Sequence, residues 1–310
     1  MRIARSLTAV FSIALASCGG SGPGEVTQVI EEITEPLVVY TVNYPLAYFA
    51  EQIGGDLVEV IFPAPGDEDP AYWSPDSETI AAYQGADLIL LNGAGYARWV
   101  DRATLPATRI VDTSAAFADQ LIPLEEKVTH SHGPGGEHEH TGWAFTTWLD
   151  PTLAVQQAEA IGQALITQRP EHEAEINERL ATLRNGLFEL DNRLAVAAEA
   201  IGDAPLVFSH PVYQYLIRHY DLNGAEVHWE PDEAPDGHAW DHLEESLESH
   251  PAKWMLWESE PLEETAAGLT EIGVESVVFD PCGNRSDEGD YLTVMAANAA
   301  ALERVASSIR

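Results

Sequence analysis

The sequence predicts an α/β protein of two lobes, each a parallel sheet of about four strands with flanking helices, joined by one long rigid helix. Two patterns support this prediction. Short β-branched apolar runs alternate with helical patterns in both halves of the 310-residue chain, which is typical of parallel βα architecture. Between the halves, apolar residues recur at steps of three and four, which indicates a long helix.

Residues 1–17 have the pattern of a lipoprotein signal peptide. Arg2 and Arg5 form a charged start, Leu7–Leu15 is apolar, and small residues lead to Cys18. An apolar stretch this short cannot cross a bilayer as a helix, which takes about 20 residues. Its end resembles a bacterial lipobox, which implies cleavage before Cys18 and a lipid on that thiol. We therefore expect an exported protein, anchored by lipid at a bacterial membrane and facing the periplasm or the cell exterior.

Residues 18–36 are rich in Gly, Glu and Thr, a composition typical of a flexible tether. No second hydrophobic stretch approaches membrane-spanning length. Because Cys18 carries the lipid in this prediction, Cys282 has no partner for an internal disulfide.

The first lobe is predicted over residues 37–169. Its candidate strands are Leu37–Val42, Leu57–Phe62, Asp87–Leu91 and Arg109–Val111. The candidate helices between them lie near Leu46–Ile53, Ser77–Gln84 and Tyr96–Arg102. This order of elements predicts a parallel sheet.

A linking helix is predicted over residues 170–201. The residues of its apolar stripe are Ile176, Leu180, Leu183, Leu187, Leu190 and Leu194. Pro170 suits a first helical turn and Gly202 suits the end. At about 1.5 Å per residue the segment spans about 48 Å, longer than the outer helices of a barrel usually need. We interpret it as a strut between the lobes; the alternatives are an ordinary long core helix and a coiled-coil stretch.

The second lobe is predicted over residues 202–310. Its candidate strands are Leu206–Phe208, Glu226–Trp229, Trp254–Trp257 and Ser276–Phe279. A single eight-stranded barrel is the competing assembly, and the long helix between the halves argues against it.

The charge balance excludes one class of partner. Asp and Glu number 51 against 15 Lys and Arg, for a formal net charge of −36. Phosphate recognition needs a basic face, so we expect no nucleic acid partner. An acidic surface favours cationic partners and solubility.

Polar residues follow several predicted strands at the end where ligands bind in open parallel sheets. His210 follows the Leu206–Phe208 strand, and Asp280 follows Phe279. An acidic turn that contains Glu68 follows Phe62. Taken singly, a histidine placed like His210 is more often a hydrogen-bonded structural residue than a ligand, and an aspartate placed like Asp280 is more often a cap for the turn that follows.

The chain also contains a histidine-rich loop, predicted over residues 128–142. Its histidines are His130, His132, His138 and His140. Neutral imidazole is a common metal ligand, and we expect the Gly133–Gly136 turn to fold one histidine pair back on the other. One member of each pair is then available to a tight site. The alternative is a solvated histidine tract without defined geometry.

An ordered set of motifs spans nearly the whole mature chain. It comprises the lipobox, Pro65 and Gly66, Ala86–Leu90, Asn92–Trp99, the histidine-rich loop, Trp148–Pro151, the long helix, Phe208–His210, Glu230 and Pro231, Phe279–Pro281, and Tyr291, Met295 and Asn298. This set resembles the ZnuA-like (cluster A-I) metal-binding proteins of ABC importers. The resemblance implies two lobes joined by a rigid helix, with a metal held between them and delivered to a membrane permease. The metal it implies is typically zinc, or manganese in a related branch.

The chain departs from the family pattern in its first lobe. His210 and Asp280 match the second-lobe ligands of the family, but Ala71 and Thr146 stand where the family usually has histidines. Replacement donors are available nearby: His138 or His140, His130 or His132, and Glu68. We therefore expect the histidine-rich loop to supply direct ligands. The alternative is a degenerate member that has lost its metal.

The sequence favours a monomeric metal-binding protein that serves an ABC permease, and it leaves two other classes open. A metal-buffering or adhesion lipoprotein would use the same fold without a permease. A zinc hydrolase would need an open metal position and a general base, but the chain has no His-Glu-x-x-His helix. Imidazoles with one carboxylate suit zinc, and more carboxylates shift the balance toward manganese.

Overall fold

The computed structural model describes residues 35–131 and 137–309, and for residues 125–131 and 137–141 it describes the backbone only. From Pro36 onward the chain forms one structural unit. Two parallel sheets lie in this unit, one from each half of the sequence.

The first half forms a four-stranded parallel sheet with the order β2-β1-β3-β4. Its strands are β1 (Leu37–Thr41), β2 (Val58–Ile61), β3 (Leu88–Leu91) and β4 (Ile110–Asp112). Its helices are α1 (Tyr44–Gly54) and α2 (Ser77–Gly85). Each helix begins at a capping side chain, Asn43 for α1 and Asp76 for α2, which accepts a backbone N–H of the first turn.

The third helix predicted in this half, Tyr96–Arg102, is a short 3-10 turn over Arg98–Arg102. Ala97, inside the predicted helix, has φ −95° and ψ 83°, which lie outside the helical region, so the helical turn begins only at Arg98.

A hairpin of two antiparallel strands lies beyond the first sheet. Strand β5 runs over Pro123–Ser131 and strand β6 over Glu137–Trp143. Their register pairs His130 with His138 and Val128 with His140. Helix α3 (Pro151–Gln168) follows and is capped by the Asp150 carboxylate.

The linking segment is helical throughout. A 3-10 turn at Pro170–His172 leads into α4 (Glu173–Ile201). Helix α4 packs against α1 and α3 from the first half and against the C-terminal helix from the second. The residues of its stripe that are fully buried are Ile176, Leu183, Leu187, Leu190 and Leu194.

The second half repeats the architecture, with the sheet order β10-β9-β7-β8. Its strands are β7 (Leu206–Phe208), β8 (Gly224–Glu226), β9 (Trp254–Trp257) and β10 (Glu275–Val278). Its helices are α5 (Gln214–Tyr220), α6 (Gly237–Ser249), α7 (Glu263–Glu271) and α8 (Tyr291–Ile309). The predicted fold class is confirmed. The eight-stranded barrel is wrong, because these eight parallel strands form two separate sheets.

The prediction placed β8 two residues too late, at Glu226–Trp229. The strand ends at Glu226, although Val227 and Trp229 still donate backbone hydrogen bonds to the end of β7, at Phe208 and Ser209. Their apolar side chains are buried beyond the regular pairing, so hydrophobicity alone shifted the predicted boundary.

The two halves share their main core. It includes Ile161 from α3, Leu187 from α4 and Leu302 from α8. Within the described residues, no helix is long and apolar enough to cross a membrane.

Candidate metal centre

A cavity of about 460 Å³ lies where the loops of the two sheets meet. The first half contributes the loop after β2, at residues 66–70, and the segment before α3, at residues 145–148. The second half contributes the residues that follow each of its four strands. The carboxyl ends of both parallel sheets therefore face one cleft, as the rule for ligand sites in such sheets requires.

His210 lines this cleft and is 4% exposed. The backbone N–H of the preceding Ser209 donates to the Leu256 carbonyl at the end of β9, so this loop continues the sheet. The His210 Nδ1 atom lies 3.4 Å from Oε1 of Glu230 and 3.8 Å from Oε1 of Glu258. The imidazole thus lies beside two carboxylates.

Asp280 lines the same cleft, two residues after β10. Its backbone is held on both sides by the Asn298 amide, which accepts from the Asp280 N–H at 3.0 Å and donates to the Asp280 carbonyl at 2.7 Å. Its Oδ1 atom accepts the Cys282 N–H at 2.6 Å. Burial raises the pKa of Asp280, the bond from Cys282 opposes this rise, and the Glu288 charge adds to it.

Glu258 and Glu230 are cleft residues that sequence reasoning did not select. Glu258 directly follows β9, so the strand-end rule that selected His210 and Asp280 applied to it as well. Its side chain is 29% exposed. Desolvation in the cleft raises the pKa of Glu258 well above its usual range, and the charges of Asp69, Glu230 and Asp280 add to the rise. The cleft thus gathers several carboxyl groups, which bind cations through their oxygen atoms.

The first-lobe acidic loop reaches the cleft as well. Glu68 is exposed and lines the cavity, and its carbonyl oxygen accepts the Asn284 amide at 2.9 Å. The adjacent Asp69 also lines the cavity and was not predicted. Asp69 Oδ1 accepts the Ala71 N–H at 2.8 Å.

The two departures from the family pattern have different surroundings. Ala71 is 2% exposed and packs in the core rather than lining the cavity. Thr146 lines the cavity, and its hydroxyl donates a hydrogen bond to the Val212 carbonyl oxygen.

The predicted histidine ligands are only partly within the described structure. His130 lies in β5, and His138 and His140 lie in β6, but only their backbone is described. His132 lies outside the described residues. Among the residues that are described, no group of three or more His, Cys, Asp or Glu side chains is arranged to hold a metal ion.

Comparison with known families shows to which family the chain belongs. The model of the ZnuA family, described as "zinc-uptake complex component A, periplasmic", matches residues 39–305. The chain belongs to the ZnuA family. The resemblance read from the ordered motifs is thereby confirmed, and this is a family of metal-uptake components rather than of enzymes.

Curated relatives and solved structures agree with this assignment. The zinc-binding lipoprotein AdcA of Streptococcus pneumoniae (strain ATCC BAA-255 / R6) is 24% identical over 279 residues, which cover 86% of this chain and 55% of that protein. The chain thus spans about half the length of this relative. The metal-dependent lipoprotein YcdH of Bacillus subtilis superposes with a TM-score of 0.74 at 23% identity, covering 86% of this chain and 98% of that one.

A second structure links the fold to another ion. The solute-binding protein FpvC of Pseudomonas aeruginosa, solved in complex with Mn2+, has a TM-score of 0.68 at 20% identity, covering 89% of this chain and 100% of that one. At these identities, the structural likeness establishes the fold of this ZnuA family member and no more.

Proposed function

We propose that this protein captures a divalent metal ion in the cleft between its lobes and delivers it to the permease of an ABC importer. The observation that carries the proposal is the buried His210 imidazole, set within 4 Å of two carboxylates in a cleft that Asp280 also lines. Imidazole nitrogen and carboxylate oxygen are both zinc ligands. Membership of the zinc-uptake family supports the same function.

The proposed ligand set has a second-lobe part and a first-lobe part. The second lobe supplies His210 and Asp280, with Glu230 and Glu258 beside His210. The first lobe supplies Glu68 and histidines of the histidine-rich loop, in which His130 stands opposite His138 in the backbone register. A zinc site gathers four donors, or three and a water, so donors from both lobes complete it.

The preferred ion is zinc, with manganese as the second candidate. The AdcA relatives are named as zinc-binding, and the FpvC structure holds Mn2+. A carboxylate-rich cleft accommodates manganese, whereas histidines added from the hairpin favour zinc. The number of histidine ligands therefore decides the selectivity.

The proposed cellular setting is a lipid-anchored protein outside the cytoplasm. It rests on the signal-peptide pattern of residues 1–17 and on Cys18, both outside the described residues, and on relatives that are named as lipoproteins. We propose a monomer that is attached by the lipid on Cys18 and serves a permease. A permease gene and an ATPase gene beside this one would favour the importer over a metal-buffering or adhesion lipoprotein.

Calorimetric titration of the metal-free protein with zinc and with manganese tests the function. We expect stoichiometric zinc binding without turnover. Two variants locate the first-lobe ligands: one lacks Val128–Thr141, and the other keeps the hairpin but replaces its four histidines by Gln. We expect both to bind zinc more weakly than the full chain. If the full chain binds neither ion, the proposed function is wrong. If the full chain binds zinc and both variants bind it equally tightly, the histidines of the hairpin are not ligands.

A further inference from the structure

One short segment of the first lobe contacts both second-lobe loops that carry the proposed ligands. The Thr146 hydroxyl donates a hydrogen bond to the carbonyl oxygen of Val212, two residues after His210. The indole N–H of Trp148 donates to the carbonyl oxygen of Pro281, at 2.7 Å, and Pro281 directly follows Asp280. The His210 loop and the Asp280 loop are thus both bonded to the segment 146–148, the first through Thr146 and the second through Trp148.

The Trp148–Pro281 contact is buried, and the Thr146–Val212 contact is part-buried at the wall of the cavity. Thr146 is 4% exposed and Trp148 is 1% exposed. The Pro281 carbonyl oxygen would lose a donor that water cannot replace, and the Val212 carbonyl oxygen would lose a donor that is held in place because Thr146 is itself buried. These two hydrogen bonds therefore resist separation of the lobes.

The segment is itself anchored, and so is the loop that it holds. The Trp148 carbonyl oxygen accepts the Tyr291 hydroxyl at 3.0 Å. On the second-lobe side, the Val212 N–H donates to the His210 carbonyl at 2.9 Å, so Val212 and His210 belong to one tight turn. A displacement of Val212 would therefore move the backbone of His210.

We propose that Thr146 is a positioning residue: its hydroxyl, bonded to Val212, fixes the His210 loop relative to Asp280, which Trp148 holds through Pro281. Where the family resemblance implies a histidine that binds the ion directly, this chain uses the side chain to brace the two lobes. The second-lobe ligands are consequently preset in the metal-free protein. This inference rests on the proposed function for its consequence, but the brace exists without any metal.

The brace is tested first in the metal-free protein, by hydrogen exchange of peptides that cover residues 205–215. Thr146→Val removes the donor and keeps the shape, whereas Thr146→Ser keeps the donor. Thr147→Val is the matched control, because the neighbouring Thr147 is equally buried but its hydroxyl faces Asn92 within the first lobe, at 3.5 Å. We expect about tenfold faster exchange around residues 209–213 in Thr146→Val, and wild-type exchange in the other two. Unchanged exchange in Thr146→Val, or equal acceleration in Thr146→Ser, would overturn the brace.

The positioning role is tested on the same folded variants by zinc titration. We expect Thr146→Val to weaken zinc binding about tenfold, with Thr146→Ser restoring it and Thr147→Val leaving it unchanged. If Thr146→Val exchanges faster but binds zinc with unchanged affinity, the brace does not position His210, and the proposal is wrong. If the wild-type protein binds neither zinc nor manganese, the proposed function fails, and the exchange experiment still decides whether the brace exists.

Discussion

The Nδ1 atom of His210 lies 3.4 Å from the Oε1 atom of Glu230. Two ligand atoms that share a tetrahedral zinc ion, each about 2.0–2.2 Å from it, are themselves about 3.3–3.5 Å apart. The pair therefore has the spacing of two donors to one ion. Because the imidazole is buried and both residues follow strands of the second sheet, this spacing is set by the packing of the second lobe.

Replacement of His210 by Ala should abolish tight zinc binding. The expected loss exceeds the about 10- to 100-fold loss that follows removal of an outer-sphere partner, because a ligand itself is lost. Competition with a chromophoric chelator measures it. His238→Ala is the control, since His238 is exposed in α6 and does not line the cavity. Equal affinity in the two variants would remove His210 from the site.

Glu258→Gln should raise the stability of the metal-free protein and lower its affinity for manganese more than for zinc. Glu258 has a raised pKa in the folded state, so its ionisation costs folding stability as the pH rises above about 4.3, the usual value for Glu. Removing the charge should raise the thermal midpoint near pH 7 by about 1–3 °C. Manganese prefers carboxylate oxygen and loses a donor.

Scanning calorimetry of the metal-free protein measures the expected rise in the thermal midpoint, and titration with both ions measures the expected loss of manganese affinity. Glu260→Gln is the matched control, because Glu260 is exposed in the same loop and does not line the cavity. A lower thermal midpoint in Glu258→Gln would contradict the electrostatic explanation, and an unchanged manganese affinity would exclude Glu258 as a donor.

His219 should make the stability of the protein depend on pH. Its Nδ1 lies 3.3 Å from Asp150 Oδ2 and its Nε2 lies 2.9 Å from Asp191 Oδ1. The bond to Asp150 is the main cause of the raised pKa of His219; burial opposes it, and the bond to Asp191 adds to it. Burial alone would raise the pKa of Asp150, but its bonds from His219 and Thr152 hold that pKa below the usual value.

The sign of the effect follows from these directions. The His219 contribution is complete below about pH 6.5, the pKa of histidine in the unfolded chain, and is lost as the pH rises through the higher folded value. The Asp150 contribution is lost only in acid, below its unfolded value of about 3.9. Thermal unfolding from about pH 6 to about pH 9 should show wild type losing more stability than His219→Gln. Parallel curves for wild type and His219→Gln would refute the link.

Leu187→Ala should destabilise the protein by about 2–5 kcal/mol, because Leu187 is completely buried in α4 and its truncation leaves a cavity. Val196→Ala on the same helix should change stability by less than about 0.5 kcal/mol, because Val196 is 66% exposed. Urea unfolding measures both. Similar losses in the two variants would mean that the buried stripe does not carry the stability of this helix.

Local patterns in the sequence determined the fold class and part of the candidate site. The alternation of apolar runs with helical patterns predicts both sheets, and the leucine stripe predicts α4, because these signals depend only on neighbouring residues. His210 and Asp280 could be chosen because they follow strands, and Glu258 could have been chosen by the same rule. The end of β8 could not be predicted from the sequence, because Val227 and Trp229 are as apolar as strand residues.

The tertiary structure alone decided how the cleft is held together. Thr146 and Val212 are 66 positions apart and Trp148 and Pro281 are 133 apart, and no local pattern relates such residues. Their contacts exist because the shared core of α3, α4 and α8 fixes one lobe against the other. Glu230 and Glu258 lie beside His210 because β8 and β9 flank β7 in the second sheet. The sequence specifies the chemistry of each side chain, whereas the distances between side chains that are remote in sequence are set only by tertiary packing.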